Sequence, residues 1–419
     1  MGFASAYLEE KTLFPELIPE APDKGTGIIV VVPSYNETCI VDLLDSLGLC
    51  EKPRCRAEVI IIVNAPFDAP RETEANNLKT LSDIDTWRRD HPEVFFNLWG
   101  VNISGSEKHR GGVGMARKTG MDEAVRRFDR IDRSDGVIVS LDADCTVGKN
   151  YFIAIESGLL DRKDRSACSI YFEHPVSGSE FTGEEYRAVI LYELHMRYYY
   201  QGLLYSHYPY AHHTIGSALA LKALPYVKSG GMNRKSAGED FYFIQKLLPA
   251  GGFFDLNTTV VYPSPRKSLR APFGTGAAIS RLTEDPGEVM LTYNLQAFSE
   301  LKSLFETIEM TGPGSGDHRL MYEMLPEGLR QFIRKEEWES KISEIRSNTS
   351  GPGSFRKRFF GWFNMFRIVK YMNFVHQGLY RKKPVAYAAP ELLHALGKDT
   401  DAMDPPELLE YFRKLERGY

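Results

Sequence analysis

"GIIVVVP", Gly27–Pro33, is a continuous apolar run rich in β-branched residues and closed by proline. A run with no polar face to show to water reads as a strand buried on both sides. The texture returns in "AEVIIIVNAP" at 57–66, "EVFFNLWGVNI" at 93–103 and "DGVIVSLDAD" at 135–144. Helical patterns lie between these runs. In "GMARKTGMDEAVRRF", Met115, Thr119, Ala124 and Phe128 recur at the spacing of one helix face. Strands alternating with helices make βαβ units, and so an α/β fold with a mainly parallel mixed sheet flanked by helices. Such sheets bind their ligands beyond the carboxyl ends of the strands. That rule gathers Ser34-Tyr35-Asn36-Glu37, Asn64-Ala65-Pro66 and Asp142-Ala143-Asp144 on one rim.

Composition bounds the rest. The 419 residues are 43% hydrophobic and 26% charged, ordinary for a globular chain with a real core. A net charge of −5 argues against a general nucleic-acid binder, which would carry a strongly basic face. Five cysteines without CxxC spacing make neither a disulfide framework nor a zinc site. The start "MGFASAYLEEKTLF" lacks the pattern of a signal peptide, and no apolar stretch is long enough to span a bilayer. A cytoplasmic setting is the expectation. Residues 1–26 read as an N-terminal arm and 27–270 as the α/β domain. After the Gly/Pro punctuation of "APFGTGAA", residues 271–419 read as a mostly helical C-terminal region.

Three stretches carry chemistry. "LDADC" places Asp142 and Asp144 one residue apart at a strand's carboxyl end, where they are either a solvated turn or a divalent-metal site. "HRGGVGMARK" is neither a P-loop nor a good dinucleotide fingerprint. It is either a glycine-rich helix start or a basic loop bringing His109, Arg110, Arg117 and Lys118 to a phosphate. "SAGEDFYFIQKLLPAGG" opens a helix with Glu239-Asp240, which either serve the helix dipole or supply a general base; Arg234 and Lys235 precede them.

Taken in order, "VVVPSYNE", "GGVGMARKTGMDEA", "LDADC" and "GSALALKALPYVKSGGMNRKSAGEDFYF" resemble the motif set of glycosyltransferase family 2, over about residues 27–265. The resemblance implies a GT-A-type nucleotide-binding domain. It implies transfer of a sugar from a nucleotide-diphosphate donor to a saccharide or other hydroxyl acceptor, with inversion, assisted by Mn²⁺ or Mg²⁺. On it, Asp144 holds the metal and Asp142 contacts ribose or a metal-bound water. Pro33, Tyr35, Asn36, Glu37, Asn64, Arg117 and Lys118 join Asp142 and Asp144 in binding the nucleotide-sugar. Asp240 is the catalytic base and Glu239 contacts the acceptor. The family's second strand usually ends in aspartate where this chain has Asn64, which leaves the base open. No histidine follows promptly after Asp240 to complete a metal site; "YPSPRKSLR" offers Arg266, Lys267 and Arg270, either to neutralise the diphosphate or as a solvated loop. A retaining transferase, a sugar nucleotidyltransferase and a non-catalytic carbohydrate-binding protein are the alternatives.

Two aromatic tracts stand apart. "YELHMRYYYQGLLYSHYPYAHH" reads first as a core and surface helix, then as a sugar-stacking groove, and last as a metal cage built from His195, His207, His212 and His213. "FRKRFFGWFNMFRIVKYMNF", 355–374, is either a helix packed on the protein or a peripheral contact with an anionic membrane surface.

Overall fold

The β-branched runs pair as expected. The computed structural model describes residues 2–105, 112–233, 238–268, 274–285, 287–311, 318–400 and 402–418. Among these, eight strands form one mixed sheet: β1 (Thr26–Ser34), β2 (Arg56–Val63), β3 (Phe96–Asn102), β4 (Val137–Ser140), β5 (Cys145–Val147), β6 (Ala167–Phe172), β7 (Leu219–Lys222) and β8 (Phe253–Pro263). Their spatial order is β3-β2-β1-β4-β7-β6-β8-β5. The first four in space are parallel, with Val30 opposite both Val59 and Val139, while β7 runs antiparallel to β4 and β6. Every residue of β1 is buried, as a strand covered on both faces requires.

Helices α1 (Ser5–Lys11), α2 (Ile40–Gly48), α3 (Arg71–Asp90) and α4 (Val113–Arg130) precede β4. Neighbouring residues of a strand point to opposite faces. Ile62 meets α4 at Gly120, whereas Gly100, opposite Ile61, meets Ile84 of α3. Helices therefore cover both sides of the sheet. α4 is buried nearly all round, although it carries Asp122, Glu123 and Arg127. The N-terminal arm accounts for this. The Tyr7 hydroxyl donates to Asp122 at 2.6 Å, and the Leu17 and Ile18 amides each donate to Glu123 at 3.2 Å. On its sheet side, Arg127 grips Glu58 at 2.5 and 2.9 Å. Such partners offset part of the desolvation penalty, although burial still raises the Asp122 and Glu123 pKa values.

The chain divides into two compact units, Met1–Phe181 with His212–Ala277, and Thr182–Ala211 with Ala278–Tyr419. The sheet belongs to the first. The second is helical, and it includes the long helix Gly183–Tyr205, a part of the tyrosine-rich tract that lies within residues 27–270. Residues 355–374 fall on two of its helices, Pro352–Trp362 and Met365–Gly378. Phe355, Phe359, Phe360, Phe363 and Tyr371 are buried there, so most of the segment's aromatic rings pack in the unit's own core, while Phe374 is exposed. Arg367 pairs with Glu337 at 2.5 Å and lies 4.5 Å from the Trp362 ring. Among the described residues no helix is long and apolar enough to cross a membrane.

Candidate functional site

From β1 the chain runs outward through β2 and β3, then returns through α4 to β4 on the other side of β1. The crevice at such a reversal, outside the strands' carboxyl ends, is where open α/β sheets take ligands. Here it is lined with acid. Glu37 follows β1 and is 3% exposed. Its carboxylate accepts two hydrogen bonds from Arg266, at 2.7 and 2.5 Å. Arg266, just past β8, also lies 2.9 Å from Asp144, so one guanidinium ties the loop after β1 to the loop after β4.

A second arginine links the other acids. Arg117, in α4 and 2% exposed, pairs with Glu239 and donates to Asp142 at 2.6 Å. It lies flush against Gly216, where an added Cβ would stand 2.9 Å from the guanidinium. The Gly216 amide in turn donates to Asp240 Oδ2 at 2.9 Å, while Asp240 Oδ1 accepts the Phe241 amide at 2.7 Å. Arg117 thus spans from the Asp142 loop to the helix Glu239–Leu247.

Among the described residues, four of these five carboxylates pair with two guanidiniums and Asp240 is held by amides, a surplus of three negative charges when all are ionised. Burial and, to a lesser degree, the surplus show in the acidities. Burial pushes the Asp144 carboxyl above its ordinary range; Arg266 pulls it down, and Asp142 and Glu37 push it further up. Asp240 is raised too, by burial first, with Arg117 opposing.

Of the other residues singled out in the sequence, Pro33 is buried in β1 and Tyr35 is half-buried beside it. Asn36 adopts φ 50°, left-handed backbone that asparagine tolerates better than most residues. Two asparagines of α3 fix this rim: Asn77 accepts the Asn36 amide at 2.9 Å and donates to the Asn64 carbonyl at 3.0 Å, and Asn76 donates to the Asn36 side chain at 2.7 Å. Neither stood out in the sequence, although two adjacent asparagines in a helix, one of them 3% exposed, signal a polar task. The Asn64 side chain donates to the Gly112 carbonyl at 3.1 Å, and its Oδ1 has no partner among the described residues. Lys118 points elsewhere, 2.8 Å from Asp122 and 3.1 Å from the Tyr7 hydroxyl, on the side of α4 covered by the arm. Glu239 is 2% exposed and turned onto Arg117. His109, Arg110, Arg234, Lys235 and Arg270 lie outside the described residues.

In the tyrosine- and histidine-rich tract, His195 bonds Thr292 at 2.9 Å, and burial lowers its pKa to about 4. His212 pairs with Asp255 at 2.9 Å. Among the described residues no group of three or more His, Cys, Asp or Glu could hold a metal by itself. Magnesium-like ions, however, are commonly held by one or two carboxylates together with phosphate oxygens. Asp142 and Asp144, 36% and 28% exposed, are hard oxygen donors of that kind in a crevice with acid to spare. Ser34 Oγ, Asn64 Oδ1 and Ser140 Oγ, at or beside the ends of β1, β2 and β4, are buried without hydrogen-bond partners among the described residues. The donor set fits a divalent cation shared with a phosphate ligand.

No protein-family model matches the chain, and no curated protein matches it. Solved structures do. S. aureus TarS 1–349 in complex with UDP is 14% identical, over 94% of this chain and 92% of that one, with a TM-score of 0.37. The mannosyltransferase PcManGT from Pyrobaculum calidifontis, with GDP-Man and Mn²⁺, is 14% identical over 88% and 89%, at a TM-score of 0.37. Glucosyl-3-phosphoglycerate synthase from Mycobacterium tuberculosis, with UDP, is 14% identical over 64% and 84%, at 0.35. Similarity at these levels assigns no activity to the chain.

Proposed function

We propose that this protein is a glycosyltransferase that moves a sugar from a nucleoside-diphosphate donor to an acceptor hydroxyl, with a divalent cation and with inversion. The observation that carries the reading is the joining, through Arg117, of the Asp142 loop at the sheet's switch point to Asp240 on the neighbouring helix. One end suits a charged leaving group and the other a general base. Ordered motifs resembling family 2 transferases support it. Pro33, Tyr35, Asn36 and Asn64 lie where a nucleoside would enter, beyond the ends of β1 and β2. Mn²⁺ or Mg²⁺ held by Asp144, with Asp142 beside it, would offset charge on the diphosphate.

The protein's own groups do the rest. Two backbone amides hold Asp240 in place, and its raised pKa makes it a stronger base than a solvated aspartate. As the acceptor oxygen bonds to the anomeric carbon, Asp240 takes its proton. The carbon–oxygen bond to the diphosphate breaks, and the leaving group keeps the electron pair. Attack from the face opposite the leaving group inverts the centre. A thermal-shift screen of nucleotide sugars with and without Mn²⁺ tests the reading. A metal-dependent rise in melting temperature with at least one donor is expected; no response across uridine and guanosine donors would overturn it.

A further inference from the structure

Arg266 occupies the position from which a cation would serve Asp144. Its guanidinium lies 2.9 Å from Asp144 Oδ2 while doubly bonded to Glu37, and it is 24% exposed, within reach of solvent ions. Glu37, by contrast, has 2% of its side chain exposed and belongs to the first turn after β1. The two halves of this bridge are therefore unequal. The Glu37 side is bidentate and sheltered, the geometry in which an arginine–carboxylate pair is strongest. The Asp144 side is a single contact to a carboxylate that still has 28% of its side chain exposed.

We propose that Arg266 is a resident counter-ion of Asp144 that a divalent cation displaces, and that the freed edge of its guanidinium then serves the diphosphate. The inference rests on the transferase reading above and assigns Arg266 a gating role in that site. A metal ion and a guanidinium cannot share one carboxylate edge without strong repulsion. Glu37 would keep Arg266 anchored during the exchange, so the cation is turned toward the ligand rather than lost from the crevice. The arrangement opposes metal binding in the empty protein and favours it once a diphosphate is present to take up the guanidinium. It also keeps an acid-rich crevice from standing bare between turnovers. The partnerless oxygens of Ser34, Asn64 and Ser140 mark the same rim as built for something beyond the chain's own groups.

Mn²⁺ binding to the full-length, chelator-stripped protein, read by electron paramagnetic resonance of the free ion, tests this without any turnover. Arg266→Gln should bind Mn²⁺ alone about tenfold more tightly than the parent, the scale of a partly exposed ion pair of favourable geometry. The same variant should bind UDP or GDP with Mn²⁺ more weakly, so the two effects have opposite signs. Glu37→Gln/Arg266→Gln removes both charges and guards against a misfolded single variant; it should also bind Mn²⁺ alone more tightly. Arg266→Lys keeps a cation and should stay near the parent for the metal alone. Parent binding that depends on Asp144, with no tightening in either folded Gln variant, would overturn the counter-ion role and leave the transferase reading standing. No Mn²⁺ binding by any form, with or without UDP or GDP, would overturn the metal site and the inference with it.

Discussion

In the second unit, Arg197 and Arg413 meet Glu193 and Glu416 almost out of water; in the crevice of the first, Arg117 and Arg266 pair with four carboxylates and a fifth, Asp240, stands beside them. The first set balances, two cations against two anions, and its side chains are 0–10% exposed. Arg413 grips Glu193 at 2.8 and 2.9 Å and ties the last helix, Pro405–Arg417, to the helix Gly183–Tyr205. The crevice is built from the same residue types but among the described residues holds more acid than base, leaves Asp142 and Asp144 partly open, and keeps two carboxyl groups above their ordinary pKa. Balanced buried charge specifies how helices dock; unbalanced charge at a strand end costs stability and persists where a ligand completes it.

The sharpest way to break this comparison is to neutralise one acid of the crevice. Asp240→Asn keeps the shape and removes the proton acceptor. With a donor identified by the screen, turnover should fall about 10²- to 10⁴-fold, while the affinity for the donor with Mn²⁺ changes little. A well-folded variant transferring sugar at the parent's rate would reduce Asp240 to a structural carboxylate, no different in kind from Glu416.

Next in size is a cut into the balanced set. Arg197→Met removes an ion-pair partner from both Glu193 and Glu416, a loss expected to cost about 3–5 kcal/mol in urea unfolding. Nucleotide binding should be untouched as long as the protein is folded. Adding Glu416→Gln should restore part of the stability, because part of the penalty comes from buried negative charge that has lost a cation.

The two regions also differ in how far the sequence revealed them. Strand runs such as Gly27–Pro33 are legible because burial on both faces forbids polar residues, and they place Glu37, Asn64, Asp142 and Asp144 on one rim without further help. The antiparallel part of the sheet is less legible: "LALK" at 219–222 is four residues long and has no alternation to mark it. Pairing partners are the harder matter, since nothing in "MARKT" distinguishes Arg117, which turns to the crevice, from Lys118, which turns to the N-terminal arm. One helical residue is a rotation of about 100°. Arg266 falls in the same class: its charge is visible in the sequence, but the bridge it forms spans residues far apart in the chain. The balanced set of the second unit lay unmarked for the same reason, with Glu193 and Arg413 more than two hundred residues apart.

Two glycines offer the finest test, because each sits against a buried side chain and only one of them borders the crevice. A Cβ on Gly202, in the helix Gly183–Tyr205, would meet the Phe298 ring at 2.7 Å; on Gly216 it would meet the Arg117 guanidinium at 2.9 Å. Neither glycine has the positive φ that would forbid a side chain, so the cost of alanine at either site is crowding alone. Overpacking of this kind typically costs about 1–3 kcal/mol, and both Gly202→Ala and Gly216→Ala should lower the urea midpoint by comparable amounts. Their consequences for turnover should part. Arg117 is held by Glu239 and Asp142 and cannot retreat freely, so the added methyl should shift the Gly216 amide that fixes Asp240. Displacing a reacting group by a fraction of an ångström to an ångström is enough for roughly tenfold or more in rate. Gly216→Ala should therefore lower kcat with little change in donor affinity, and Gly202→Ala should leave kcat where it was. Equal kcat in the two variants would mean that the Arg117–Gly216 contact packs the crevice without positioning its base.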